Sequence, residues 1–154
     1  MIDLIHIHPM IVHFPIVLFL LGSALELVAL ARGGDLARRA CLANIALAAM
    51  GLAAVGAAAA AFFGDIAFDH AVGLGFPRAP LERHADFGYT TMWFLIVYAA
   101  LYLLAWWRGW RLAGGRGWAW FALSLAGVAL VLTTAYFGGD LVYGIGVNVA
   151  HVTP

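Results

Sequence analysis

Histidine is the residue type in this chain best suited to chemistry, and its six copies fall in a pattern. His6, His8 and His13 open the sequence, His70 and His84 lie near its middle, and His151 lies near its end. Imidazole is the commonest side-chain metal ligand, and pairs of His with carboxylates suit iron, zinc, manganese or copper. Two His at one depth on facing helices are all that a b-type haem requires. Spacing selects which of the six fit. His8 precedes Arg32 by 24 residues, His84 precedes Arg108 by 24, Asp140 follows Arg116 by 24, and Asp65 follows Arg39 by 26. If helices join these points, the four residues share a layer ~36 Å from the arginines at 1.5 Å per residue. His13 lies one turn or so deeper. His8, His13 and His84 are therefore the candidate ligands of a haem b or a transition metal, with Asp65 and Asp140 at the margin of the same site. Gly88, one turn past His84, would let a flat macrocycle approach the backbone. The plain alternative is that these polar residues only cap helix ends and meet water, with no cofactor bound.

The elements that would hold them are membrane spans. Hydrophobic residues make up 65% of the 154 and charged residues 10%. A soluble domain averages roughly 45–50% apolar and ~25% charged, and a chain this short cannot hide such an excess from water. The composition excludes a soluble domain, a disordered chain and a basic nucleic-acid binder. Four stretches are long and apolar enough to span: 10–31, 41–63, 87–107 and 118–137. They are too long, and alternate too little, for membrane strands. Breaks are expected at Arg32–Asp35, Gly64–Ala79 and Arg108–Gly117, each with Gly, Pro or charge. The first span lacks a preceding positive residue and a small-residue cleavage site, so it reads as a retained span rather than a signal peptide.

Orientation follows from arginine, the only basic residue besides His. Loops 1–2 and 3–4 hold Arg32, Arg38, Arg39, Arg108, Arg111 and Arg116, whereas the opposite side holds Arg78 and Arg83. Positive residues stay in the cytoplasm. The expected architecture is an all-α, integral membrane four-helix up-down bundle, N-out and C-out, with lipid as its first partner. In a bacterial inner membrane all six His then face the periplasm. Five of six Trp (106, 107, 110, 118 and 120) form an aromatic belt at the cytoplasmic end. Each half of the chain is a helical hairpin beginning near a His and turning through an Arg/Gly loop, the pattern of a weak parallel repeat.

Inside the membrane, Glu26 and Asn44 stand out. They are symmetric about residue 35, so they lie at similar depth on neighbouring helices. An ionisable residue at such depth is a functional candidate by default. The structural reading is an interhelical hydrogen bond between a protonated Glu26 and Asn44. Pro15, which cannot donate to the Ile11 carbonyl, should kink the first span beside His13. Cys41 has no partner for an intrachain disulfide and reads as a packed thiol.

The opening His8-Pro-Met-Ile-Val-His-Phe-Pro15 resembles the HPxxVHFP motif of a bacterial membrane family known as domain-of-unknown-function family two-two-three-one. The ending Gly138-Gly-Asp-Leu-Val-Tyr-Gly-Ile-Gly-Val147 is similar to that family's GGxLVYxHGVG, and His84 matches a third family position. Ile145 stands where the family pattern has its last His, which moves any ligand role there to another residue such as His151. Some relatives carry Rieske or cytochrome c domains, and that association implies electron transfer. Three functions are compatible with these residues. One is a redox-associated subunit with a His-lined haem or metal site at the outer face, working with a larger respiratory or redox membrane complex. Another is a cofactor-free accessory subunit of such a complex. The third is a small transporter using Glu26.

Overall fold

The computed structural model describes residues 4–149. His151 and Asp3 lie outside them. A 3-10 turn at Leu4–His6 leads into α1 (Ile7–Ile11) and α2 (His13–Ala31), followed by α3 (Cys41–Gly73), α4 (Arg78–Arg108) and α5 (Gly114–Tyr143). Among the described residues there is no strand. The first two helices act as one span, so four apolar rods run up and down as a bundle. The contacts close a ring in which α2 packs on α3, α3 on α4, α4 on α5, and α5 back on α2. Each rod is apolar nearly all round, as expected where lipid replaces water outside.

The helices outrun their hydrophobic stretches on the His side. The α3 helix passes straight through Gly64 and turns only after Gly73, and α4 begins at Arg78, nine residues before its apolar run. The break expected over Gly64–Ala79 is confined to residues 74–77, and Gly64 itself is helical. Hydropathy marks the hydrocarbon layer, whereas a helix continues as long as its backbone hydrogen bonds close. Gly64 serves packing instead. Near Pro15 the helix is interrupted for one residue only: α1 ends at Ile11 and α2 starts at His13, with Val12 between them still helical in φ and ψ. The buried Pro15 ring lies on Gly56 of α3, where an added Cβ would stand 3.2 Å from Pro15 Cδ.

At the arginine-rich end the two hairpin loops interlock. Asp35 Oδ1 accepts hydrogen bonds from the backbone N–H of Ala37 (3.1 Å) and of Leu112 (2.9 Å), and Leu36 N–H donates to Leu112 O. Leu36 is fully buried between them. Cys41 is exposed at the start of α3, which corrects the expectation of a packed thiol.

Candidate functional site: a histidine pair at one end of the bundle

His8 on α1 and His84 on α4 meet across the bundle. Their ring centroids are 6.1 Å apart and their planes are 81° from parallel. Both are partly buried. Each ring rests on a glycine in the second helix of its own hairpin. A Cβ on Gly64 would stand 3.1 Å from Cε1 and Nδ1 of His8, and a Cβ on Gly138 would stand 3.0 Å from Cε1 of His84.

The glycines also open the backbone. In a helix the carbonyl of residue i points toward residue i+4. Without a Cβ at Gly64, the Ala60 carbonyl is reachable from the side, and His8 Nδ1 lies 2.8 Å from it. A carbonyl only accepts, so Nδ1 carries the proton and Nε2 of His8 holds the free lone pair. This is the arrangement of a metal-binding imidazole, whose other nitrogen usually donates to a backbone carbonyl or carboxylate. The second hairpin repeats the spacing. Thr134 stands four residues before Gly138, and its backbone is the polar neighbour of His84. Nδ1 of His84 is buried and has no hydrogen-bond partner among the described residues. Gly88, one turn past His84, has no heavy atom within 4 Å of where its Cβ would be, so the backbone there is open.

The remaining expected ligands are not drawn in. His13 is exposed, whereas Pro15, two residues further on, is buried against Gly56 of α3. Asp65 is exposed and engaged by Tyr89, whose hydroxyl lies 2.6 and 2.7 Å from its two oxygens. Asp140 is exposed in the last turn of α5. Among the described residues no three His, Cys, Asp or Glu side chains gather as a metal site.

Glu26 and Asn44 do not pair. Depth counted along two helices leaves rotation about each axis free, and the two residues face different ways. Asn44, exposed in the first turn of α3, accepts a hydrogen bond from Trp106 Nε1 (3.0 Å), with Arg39 lying over the Trp106 ring. Glu26 is fully buried and accepts the Tyr98 hydroxyl on Oε1 at 2.6 Å. Around it are Ser23, Ser124, Tyr102 and Trp120; of these only Trp120 stood out in the sequence, as a belt residue, and its ring instead packs inward on Tyr98 and Tyr102. Their signal was helical spacing: Ser23 and Glu26, Tyr98 and Tyr102, and Trp120 and Ser124 are pairs three or four apart, all a few residues from an Arg-rich loop. Serines and aromatics among so many apolar residues do not stand out by type alone.

Comparison with known proteins places the whole assembly. A search of the curated proteins found no match, and neither did a search of the solved structures. The profile of the family described as "Predicted membrane protein (DUF2231)" matches residues 4–151, which takes in all four spans and both halves of the His pair. The chain therefore belongs to this family of predicted membrane proteins.

Proposed function

We propose that the chain is a redox-associated membrane subunit that holds a b-type haem between His8 and His84, at the periplasmic end of the bundle in a bacterial inner membrane. The observation that carries this reading is the pair itself. Residues that would hold one metal centre between them must bring their imidazoles together across the bundle, and His8 and His84 do so with ring centroids 6.1 Å apart and Nε2 of His8 free. The donor count favours haem over a bare ion. A protein-held zinc takes three or four side-chain ligands, whereas a haem brings four nitrogens of its own and leaves two positions for His. In this reading His8 presents Nε2, the Ala60 carbonyl fixes its tautomer and orientation, Gly64 and Gly138 let the rings lie against the helices, and Gly88 leaves space for a flat ring system. Such a group, when bound, would supply single-electron transfer between partners.

A partner within a larger redox complex has one supporting feature. The α5 helix is the least buried of the four spans, and it exposes Ala119, Ala122, Ala126 and Ala129 on its surface. In lipid, small residues permit close approach of another helix. The same feature suits an accessory subunit without cofactor, and absorbance separates the two. Protein purified from haem-replete cells should show a Soret band that sharpens and shifts on reduction. His8→Ala and His84→Ala should abolish it, and His13→Ala and His70→Ala should retain it. A colourless preparation of folded protein would overturn the haem reading and leave the accessory role.

A further inference from the structure

The polar cluster around Glu26 plays no part in holding a haem, and its hydrogen bonds can be counted to the last proton. Ser23 Oγ donates to the Phe19 carbonyl (2.9 Å), so in its 2.7 Å contact with Ser124 Oγ it must be the acceptor. The Ser124 proton is thereby spent, and Ser124 Oγ is left as an acceptor. The Tyr102 hydroxyl donates to the Leu36 carbonyl, and that of Tyr98 to Glu26 Oε1. Two buried atoms of the cluster have no partner: the acceptor Glu26 Oε2 and the donor Trp120 Nε1. The Trp120 ring lies against Tyr98, centroids 5.1 Å apart, and Trp120 and Ser124 both neighbour the Glu26 carboxyl.

This set serves either protonation state of the acid. As a carboxylate, Glu26 would take Tyr98 O–H on one oxygen and Trp120 N–H on the other, directly or through one water. As a neutral acid, it would keep the Tyr98 bond and turn its own O–H to Ser124 Oγ. No cation faces it. The titratable groups around it are Tyr98 and Tyr102 on α4; α5 brings Trp120 and Ser124, α2 brings Ser23, and the residues α3 gives to the core cluster are Ala, Leu and Met. A purely structural acid would need one of these arrangements, not both.

We propose that Glu26 is a proton-binding site within the membrane, releasing its proton to water at the arginine-rich end and recovering it there, with Tyr98 and Trp120 holding the anion and Ser124 the acid. That end is near: Glu26 lies six residues, ~9 Å along the helix, from Arg32. Tyr102, one turn closer to the loops than Tyr98, reaches Leu36 in the first of them.

The test is infrared difference spectroscopy of the protein in phosphatidylcholine vesicles, acidic minus alkaline, in H2O and D2O. The wild type should gain a protonated-carboxyl C=O band and lose a carboxylate band, and the C=O band should shift in D2O. Seven other acids contribute to both features, so in Glu26→Gln the component of each that belongs to Glu26 should be missing from the difference spectrum. In Trp120→Phe, which keeps an aromatic ring in the core, the C=O band should persist at the alkaline end because the anion has lost a donor. Identical difference spectra for the wild type and Glu26→Gln would overturn the proposal, as would a wild-type band that ignores pH and D2O. Should Glu26→Gln fail to assemble, the comparison of Trp120→Phe with the wild type decides, and identical titration in those two would also overturn it. The result is independent of whether a haem is bound.

Discussion

At the scale of single residues, the His pair depends on what its neighbours lack. Gly64→Ala or Gly138→Ala would set a methyl 3.0–3.1 Å from an imidazole. Overpacking of this kind typically costs about 1–3 kcal/mol, and here the ring must turn away from its carbonyl as well. Either substitution should lower the midpoint of thermal unfolding in detergent and reduce bound haem. Gly88→Ala adds its methyl to open space and should be close to neutral for stability. Equal effects at all three glycines would show that they do not act as seats for the rings. Counting residues from the arginines found His8 and His84, because equal helix lengths from a common plane bring two residues level. The same counting paired Glu26 with Asn44 and included His13, because it is blind to rotation about the helix axis. That rotation is set by packing, here Pro15 on Gly56 and Tyr98 on Glu26, and packing of this kind leaves little trace in residue type.

At the scale of elements, the spans were legible and their ends were not. A run of about 20 apolar residues cannot stay in water, so four spans follow directly from the composition. Gly64 looked like a break because glycine commonly ends helices. In α3 it lies ten residues short of the true turn and makes room for the His8 ring. Gly127 is the sharper case of the same role. A Cβ there would come within 2.5 Å of both Phe19 and Phe94, rings on two different helices that face α5. The Phe19 ring cannot swing aside, since it is 1% exposed and packs against Tyr98, whereas the half-buried Phe94 borders a groove on α4. Gly127→Ala should therefore strain the packing of α5 on α2 and destabilise the bundle at the ~3 kcal/mol upper end for overpacking. Gly115→Ala, on the exposed first turn of the same helix, meets nothing within 4 Å and should be tolerated. Unfolding by denaturing detergent, compared across the two variants, checks this. Equal losses would mean that the intrinsic effect of glycine in a helix, rather than contact, governs α5.

At the scale of the whole molecule, the two ends of the bundle differ in chemistry. One carries six arginines on interlocked loops, with Asp35 between them already committed to two backbone N–H groups. The other carries the His pair and two arginines, Arg78 and Arg83. Four spans running up and down put residues 4 and 149 at the same end, so a single orientation fixes everything. An excess of six arginines against two, all in short loops close to the span ends, predicts that the loops are cytoplasmic. Alkaline phosphatase fused after Pro154 should be active and a green fluorescent protein at the same place dark. Fusions at Arg111 should give the reverse. That outcome puts the His pair on the side where periplasmic redox proteins could reach it, and puts the proposed exchange path of Glu26 on the opposite side. A cytoplasmic C-terminus would exchange the two: the His pair would face cytoplasmic partners, and the buried acid would take its proton from outside. Sidedness is thus the one measurement that assigns a compartment to both proposed sites at once, because they lie toward opposite ends of the same four helices.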